Sequence, residues 1–417
     1  MKSSKDAAAM GNAVLSDLYD VNLDSLPEAL SRAHLVSSQP DRNLALANHL
    51  YGRIVSKIKM HHDAGKTVGI HGPEWSRQKA NIQKAAEAHA RIIIDTYGPN
   101  YAFPNKYPDQ NAKQIEAGAV DLYFLVIDGE FVGTTCLCDQ GEMRAERGRS
   151  AAIRPRVGNT IIQDLSILEW LLNDRVSDKY HTLFTTIRTA PDMDIGLEQP
   201  MRGGQAITSQ WRKVPELFVK GTAPLYSLHC KHGSFEQFTI AQITRAEFQT
   251  VPLFIADETD RLFVRLWHAF YGLDEPPAGN VAEAPIVEAR VQVHAPPDRF
   301  SIFKLVYASM TFGDGAIDEL GESIETYFTK EVPFIQAVVP IGDNSIDVQR
   351  QLRDAGFQAF GYEPANNFRP AHLFFGKVRP GNKVVPTNWT VKNEAHPYWT
   401  GELANHAARI EKAWHSM

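Results

Sequence analysis

The residues Arg154-Pro155-Arg156-Val157-Gly158-Asn159-Thr160 have the make-up of an anion-binding turn. The short strand Ser150-Ala151-Ala152-Ile153 leads into them, and an apolar helix with Ile161, Leu165, Leu168 and Leu172 on one stripe leads away. A strand that passes through a glycine turn into a helix N-terminus aims unpaired backbone N–H groups at the space beyond it. Phosphate suits that space, which points to a phosphate-carrying donor, and Arg154 and Arg156 are placed to contact its oxygens. Taken alone, the two arginines are equally an exposed pair on a turn. Arg188 closes a β-branched run, and Arg202 stands beside Gly203-Gly204. Either is an anchor for an acceptor carboxylate or a donor phosphate, or a partner for Asp192 or Asp194.

The elements that must position these residues start at Asp121. Leu122 to Ile127 read as a strand, Asp128-Gly129 as a tight hairpin turn, and Phe131 to Leu137 as the return strand. Asp139 to Arg149 reads as a charged loop, and Thr182 to Arg188 as a buried strand after the apolar helix. Trp170 in that helix and Trp211 beyond it read as core.

From Asp121 to Arg188 the chain resembles the GCN5-related N-acetyltransferase superfamily, most clearly in the hairpin. That family carries a Gln/Arg-x-x-Gly-x-Gly/Ala signature whose amides hold the pyrophosphate of coenzyme A. Here Gly158 keeps the first glycine, Thr160 stands where glycine or alanine is usual, and Pro155 takes the leading position. The resemblance implies a mixed α/β fold, a central mixed sheet flanked by helices, and acyl-CoA as donor, held by Arg154, Arg156, Val157, Gly158, Asn159 and Thr160. It also implies direct attack of an amine on the acyl carbonyl, assisted by a carboxylate on the fourth strand or the loop before it. Glu146 and Glu142 stand there, with Glu146 nearer the strand; Arg149 and Ser150 begin the strand and are placed to orient the acceptor. A solvated charged loop is the plain alternative for the stretch from Glu142 to Arg149.

Other chemistries fit less well. Gly148-Arg149-Ser150-Ala151-Ala152 nearly spells a hydrolase elbow, but its last glycine is missing and no helix follows Ser150 directly. Cys136 and Cys138 share a strand face without a second cysteine pair, and His229 and His232 fall on opposite faces of a predicted strand, so no metal is expected. No lysine-bearing phosphate loop occurs.

The whole chain is consistent with an ordinary globular protein of two domains. It has 417 residues, 43% of them hydrophobic and 22% charged. Its 43 basic and 49 acidic residues leave a net charge of −6, which argues against DNA as a partner. Three cysteines imply no disulfide framework and fit a cytoplasmic protein. No apolar run is long enough for a membrane span, and Met1 to Gly11 lacks the core of a secretory signal.

Organisation follows from the pattern of periodic stretches and breaks. A polar segment covers 1–40, and the acyltransferase-like domain covers 41–273. Within it, Leu44 to His61 is helical, and a second helix starts near Pro73 and Ser76 and runs to Gly98-Pro99. Strands are expected at Leu225 to Cys230 and Phe235 to Ile243, and an amphipathic helix at 257–272 through Leu262, Val264, Leu266 and Phe270. Residues 274–299, rich in proline, alanine and glutamate, read as a linker. Residues 300–417 read as a second, partial copy of the same fold. It holds a strand at Phe300 to Met310, a helix capped by Asp314, a strand at Phe334 to Val339, a helix at Asp347 to Ala355 and a final strand pair.

Three functions remain open on the sequence. One is an N-acyltransferase that moves an acyl group from acyl-CoA to a small-molecule amine. The second takes its acyl group from an aminoacyl-tRNA, with Arg147, Arg149, Arg154 and Arg156 as a local basic cluster against the acidic total. The third is a non-catalytic acyl-CoA-binding or partner-binding protein. A free sheet edge would suit a homodimer.

Overall fold

The computed structural model describes residues 15, 18–21, 40–97, 104–140, 143–147, 151–152, 159–188, 212–221, 235–244, 248–271, 274–277, 279, 290–294, 308–313, 334–342, 345–366, 370–378, 384–385, 409 and 412. The chain forms two compact units. The first comprises Met1–Thr185 with Ile243–Arg245, and the second Thr186–Gln242 with Ala246–Met417. The architecture is mixed α/β, as the resemblance implies.

Helix α1 (Pro40–Asp63) opens the described part of the first unit. Ala47, Leu50, Ile54 and Ile58 recur at three- and four-residue spacing, and all are buried. The helix ends where Gly65 takes φ of 71°, with the Gly65 amide donating to the His62 carbonyl at 2.8 Å. Strand β1 (Val68–His71) follows, then the short helix α2 (Pro73–Arg77), helix α3 (Ile82–Tyr97) and helix α4 (Pro108–Glu116). Ser76 does not start the long helix, contrary to the sequence expectation. It is buried in α2, where its hydroxyl donates to the Pro73 carbonyl at 3.0 Å. The long helix begins at Ile82, after Asn81. Of the face expected from its spacing, Ala85, Ala86, His89, Ile92 and Ile93 are buried, while Ile82 at the first turn is half-buried.

The hairpin is the most regular part of the sheet. Strands β2 (Val120–Ile127) and β3 (Glu130–Asp139) pair antiparallel from Val120↔Cys138 to Ile127↔Glu130. At the tip Asp128 has φ of 51° and Gly129 φ of 82°, the backbone that an Asp-Gly turn supplies. Beyond β3 come β4 (Arg144–Arg147), β5 (Ala151–Ala152), helix α5 (Asn159–Leu172), helix α6 (Asp174–Lys179) and β6 (Thr182–Arg188). The strands run in the order β1-β2-β3-β4-β6. Pairs β1–β2, β2–β3 and β3–β4 are antiparallel, while β4–β6 is parallel. A parallel pair needs a crossover, and α5 supplies it.

Helix α5 is apolar on almost every side because it packs on β2 and β3 and also against α1. Ile161, Leu165, Leu168 and Trp170 are at most 1% exposed. Asp164, Ser166 and Glu169 are buried as well. Ser166 donates to the Gln163 carbonyl at 2.9 Å, and Glu169 accepts from the Tyr19 hydroxyl at 2.8 Å. Tyr19 also explains Gly72, since any Cβ at Gly72 would collide with the Tyr19 ring and hydroxyl.

In the second unit, β7 (Arg212–Gly221) and β8 (Phe235–Thr244) form an antiparallel ribbon. Of its two strands the sequence pattern marked only β8; the expected strand at Leu225 to Cys230 lies outside the described residues. Helix α7 (Glu258–Tyr271) follows, with Val264 and His268 on its buried side. Leu262 is 39% exposed, so it does not belong to the inner face expected of it. The unit's second sheet is built from β9 (Arg290–His294), β10 (Ala308–Gly313), β11 (Phe334–Pro340), β12 (Gln358–Glu363) and β13 (His372–Val378), in the order β12-β13-β11-β10-β9. Strands β10 and β11 are parallel, and the other neighbours antiparallel. Helix α8 (Ile346–Asp354) connects β11 to β12 and closes at Gly356, whose φ is 85°. A last strand, β14 (Val384–Val385), pairs parallel with β8. Strand β9 falls in the stretch whose composition reads as a linker, and the helix expected after Asp314 lies outside the described residues.

Candidate functional site

The stretch that reads as a charged loop contains strand β4. Its pairs are Leu137↔Arg147, Cys138↔Glu146 and Asp139↔Ala145 on one side, and Arg144↔Thr182, Ala145↔Leu183 and Glu146↔Phe184 on the other. Side chains alternate across a strand, so Arg144 and Glu146 share one face and Ala145 and Arg147 the other. Glu146 is half-buried beside Cys138 and Phe184, and the Arg144 guanidinium lies 5.0 Å from the Phe184 ring centroid. Ala145 is fully buried and Arg147 is 9% exposed. Arg-Ala-Glu-Arg carries no β-branched residue, which is why local pattern reads it as loop. Pairing on both edges makes it a strand nonetheless.

The buried Arg147 faces Asp164 of α5. The Asp164 carboxylate forms an ion pair with Arg53 of α1, Nε to Oδ2 at 3.0 Å, and is 1% exposed. Burial raises Asp164 to about 7 against the pull of Arg53, Arg147 and Lys57. Burial likewise lowers Arg147 to about 10, with Asp164 opposing. This buried charge cluster ties α1, α5 and β4 together. No spacing along the chain reveals it, because its members lie far apart in sequence.

The β3 ladder changes register between β4 and β5. Leu137 pairs with Arg147, and Thr134 pairs with Ala151. The register of β3 therefore differs by one residue between its pairing with β4 and its pairing with β5. One extra residue in a strand pair interrupts its hydrogen bonds and re-aims side chains, an arrangement common beside functional sites. On the other edge, the β4–β6 ladder stops at Glu146↔Phe184. The carboxylate of Glu146 thus sits where pairing lapses on one side and slips on the other.

The remaining predicted positions divide simply. Glu142, Arg149, Ser150, Arg154, Arg156, Val157, Gly158 and Arg202 lie outside the described residues. Asn159 and Thr160 are the first two residues of α5, so the helix begins where the glycine turn predicts. Arg188 is the last residue of β6, and Thr182 to Arg188 matches the expected strand.

One polar pair on the Glu146 face escaped the sequence reading. Thr134 and Cys138 of β3 lie an even number of residues apart, so Thr134 points to the same side as Glu146. The Thr134 hydroxyl meets His89 Nδ1 of α3 at 2.8 Å, and both residues are buried. Burial lowers His89 to about 4. A depressed histidine pKa favours the fold above the unfolded value of about 6.5 and loses that contribution as pH falls towards 4. The loss comes to roughly 3 kcal/mol. Denaturant midpoints near pH 7 and pH 4.5 should show it as a steeper acid loss in the wild type than in His89→Gln. Equal acid loss in both would mean that His89 titrates normally.

The cysteines on this face are close together. Cys136 and Cys138 place their sulfurs 3.4 Å apart as free thiols. The Cys136 contact, with burial, holds the Cys138 thiol well above its ordinary value. Among the described residues no group of three His, Cys, Asp or Glu could hold a metal ion. No described helix is long and apolar enough to cross a membrane.

No protein-family model matches the sequence, and no curated protein matches it. Solved structures do match part of it. The aminoglycoside 6'-N-acetyltransferase from Enterococcus faecium is 13% identical, with a TM-score of 0.27, over 44% of this chain and 99% of that one. The ribosomal-protein-alanine N-acetyltransferase from Brucella melitensis is 13% identical, with a TM-score of 0.27, over 39% of this chain and 95% of its own. An aminoglycoside 6'-N-acetyltransferase complexed with coenzyme A is 14% identical, with a TM-score of 0.26, over 39% of this chain and 92% of its own.

Proposed function

We propose that the first unit is an N-acyltransferase that moves an acyl group from acyl-CoA to the amine of a small molecule. The observation that carries this reading is the sheet order β1-β2-β3-β4-β6, with α5 crossing between parallel β4 and β6 and Glu146 at the register slip. It supports the acetyltransferase resemblance of the stretch from Asp121 to Arg188 by topology, independently of the motif. In this reading the amides that open α5, with Arg154 and Arg156, hold the phosphates of the donor. Arg149 anchors the acceptor, and Ser150 orients it.

The chemistry is a direct transfer. Glu146, with Glu142 as the second carboxylate, accepts a proton from the acceptor ammonium. The freed amine forms a C–N bond to the thioester carbonyl, and hydrogen-bond donors steady the oxyanion. The C–S bond then breaks, and the thiolate leaves with a proton as coenzyme A. The unit that follows, with its own parallel β10–β11 pair, is read as a degenerate second copy that lends shape.

Heat denaturation with acetyl-CoA and with CoA tests the donor, since a ligand that binds only the folded state raises its stability by mass action. Both should raise the melting temperature of the wild type, and neither should shift Gly158→Trp, whose side chain fills the amide cradle. A wild type that ignores both ligands would end the acyl-CoA reading. A normal shift in Gly158→Trp would move the donor away from the turn.

A further inference from the structure

Helix α1 carries a hollow of about 370 Å³ lined by Asn48, His49, Gly52, Arg53, Ser56 and Lys57. None of the lining residues is acidic, and every side chain in it is able to donate a hydrogen bond. His49, Arg53 and Lys57 are spaced by four, so they form one column along the helix. Gly52 forms the floor. A Cβ built on it meets nothing within 4 Å, although glycine in a helix interior costs about 1 kcal/mol relative to alanine.

Arg53 is paired from beneath. Its Nε lies 3.0 Å from Oδ2 of the buried Asp164 carboxylate, an ion pair without hydrogen-bond alignment. Its two terminal nitrogens have no hydrogen-bond or ion-pair partner among the described residues, and the guanidinium side chain is 25% exposed. The side chains of Asn48, His49, Ser56 and Lys57 likewise make no hydrogen bond or ion pair with the described residues. A part-exposed guanidinium, an ammonium one turn away and neutral donors around an open floor match a tetrahedral oxyanion.

We propose that the hollow over Gly52 is an anion site that takes the phosphate group of a phosphorylated small molecule. A single compact hollow suits one phosphate group. A polynucleotide would need an extended cationic track, and the chain's net charge of −6 gives no general attraction for one. The proposal does not depend on the acyltransferase reading, because the site is defined by α1 and Asp164 alone.

The test is the melting temperature of the full chain with inorganic phosphate, with adenosine 3',5'-bisphosphate and with a short single-stranded RNA. Each is compared with sodium chloride at equal ionic strength. Phosphate, the bisphosphate or both should raise the wild-type midpoint above the chloride control; a response to inorganic phosphate places free phosphate in the site, and a response to the bisphosphate alone places a nucleotide there. Lys57→Met should weaken the response at least fivefold in apparent affinity. Gly52→Leu should abolish it while melting no lower than the wild type without ligand, since leucine is the better helix former. An equal shift with chloride, a wild-type response in Gly52→Leu or Lys57→Met, or a shift with RNA alone would overturn the site.

Discussion

Glu146→Gln is expected to slow acyl transfer at least tenfold near neutral pH at saturating donor, while leaving the affinity for acyl-CoA unchanged. The reason is positional. Glu146 is a half-buried carboxylate on a strand paired on both edges, and it stands at the last rung of the β4–β6 ladder. Its side chain shares a face with Cys138 and Phe184, whereas its neighbours Ala145 and Arg147 are buried on the opposite face. Glutamine keeps the size and the hydrogen-bonding reach of the side chain but cannot accept the ammonium proton. General-base catalysis contributes about 10²- to 10⁴-fold, so the deficit should be large and confined to turnover. Initial rates across pH, with donor affinity measured separately, check it. Unchanged rates at every pH would assign proton removal to another group. A parallel loss of donor affinity would make Glu146 part of donor binding.

The largest stability effect is expected in the second unit at Arg353. Its guanidinium forks onto Asp260 of α7, with Nε donating to Oδ2 at 2.9 Å and a terminal nitrogen engaging Oδ1. A further contact reaches Asp257 at 3.5 Å. Asp260 is 1% exposed, and burial raises it to about 6 even with Arg353 in place. Removing one partner of a buried pair leaves the other charge desolvated, at a cost of about 3–5 kcal/mol. Arg353→Met should therefore destabilise the second unit by about that much near pH 8.

The pH dependence gives that prediction a second check. An acid whose folded pKa is raised stabilises the fold below its unfolded value, and the contribution is lost as pH rises through the folded pKa. For the wild type, the window runs from about 4 to 6. Without Arg353 the folded value moves higher, so the loss continues above that window and the variant's deficit grows with pH. Chemical denaturation near pH 5 and pH 8 should show the smaller gap in acid. A gap that does not change with pH would mean that Asp260 keeps the same folded pKa with and without Arg353.

The readable parts of this fold are those whose local signals and tertiary environment agree. Asp128-Gly129 can adopt left-handed backbone cheaply, and the flanking apolar runs have nowhere to go but a hairpin core. Thr182 to Arg188 is a β-branched run, and the stripe of α5 repeats at helical spacing; both elements form where expected. Gly356 similarly announces the end of α8. Strand β4 was not readable, because Arg144, Glu146 and Arg147 are charged and only neighbours on both edges make them a strand. Arg212–Gly221 was missed for a related reason: Pro215 and charged residues interrupt its apolar pattern, and a ladder to β8 holds it. Ser76 misled as a helix start because a serine after proline resembles a cap, whereas here it lies inside a separate short helix.

Residue order alone determined the elements that carry their own instructions: the hairpin, the apolar crossover helix, the strand after it and the position at which α5 begins. Tertiary structure decided everything that depends on residues distant in the chain meeting. It set the parallel pairing of β4 with β6, the one-residue change of register between the β4 and β5 ladders, and the burial of Arg147 near an aspartate that pairs with Arg53. The division has a physical cause. Turn conformation and helical periodicity are local free energies, written within a few residues, while the environment of a charged side chain is set by the atoms that exclude water from it.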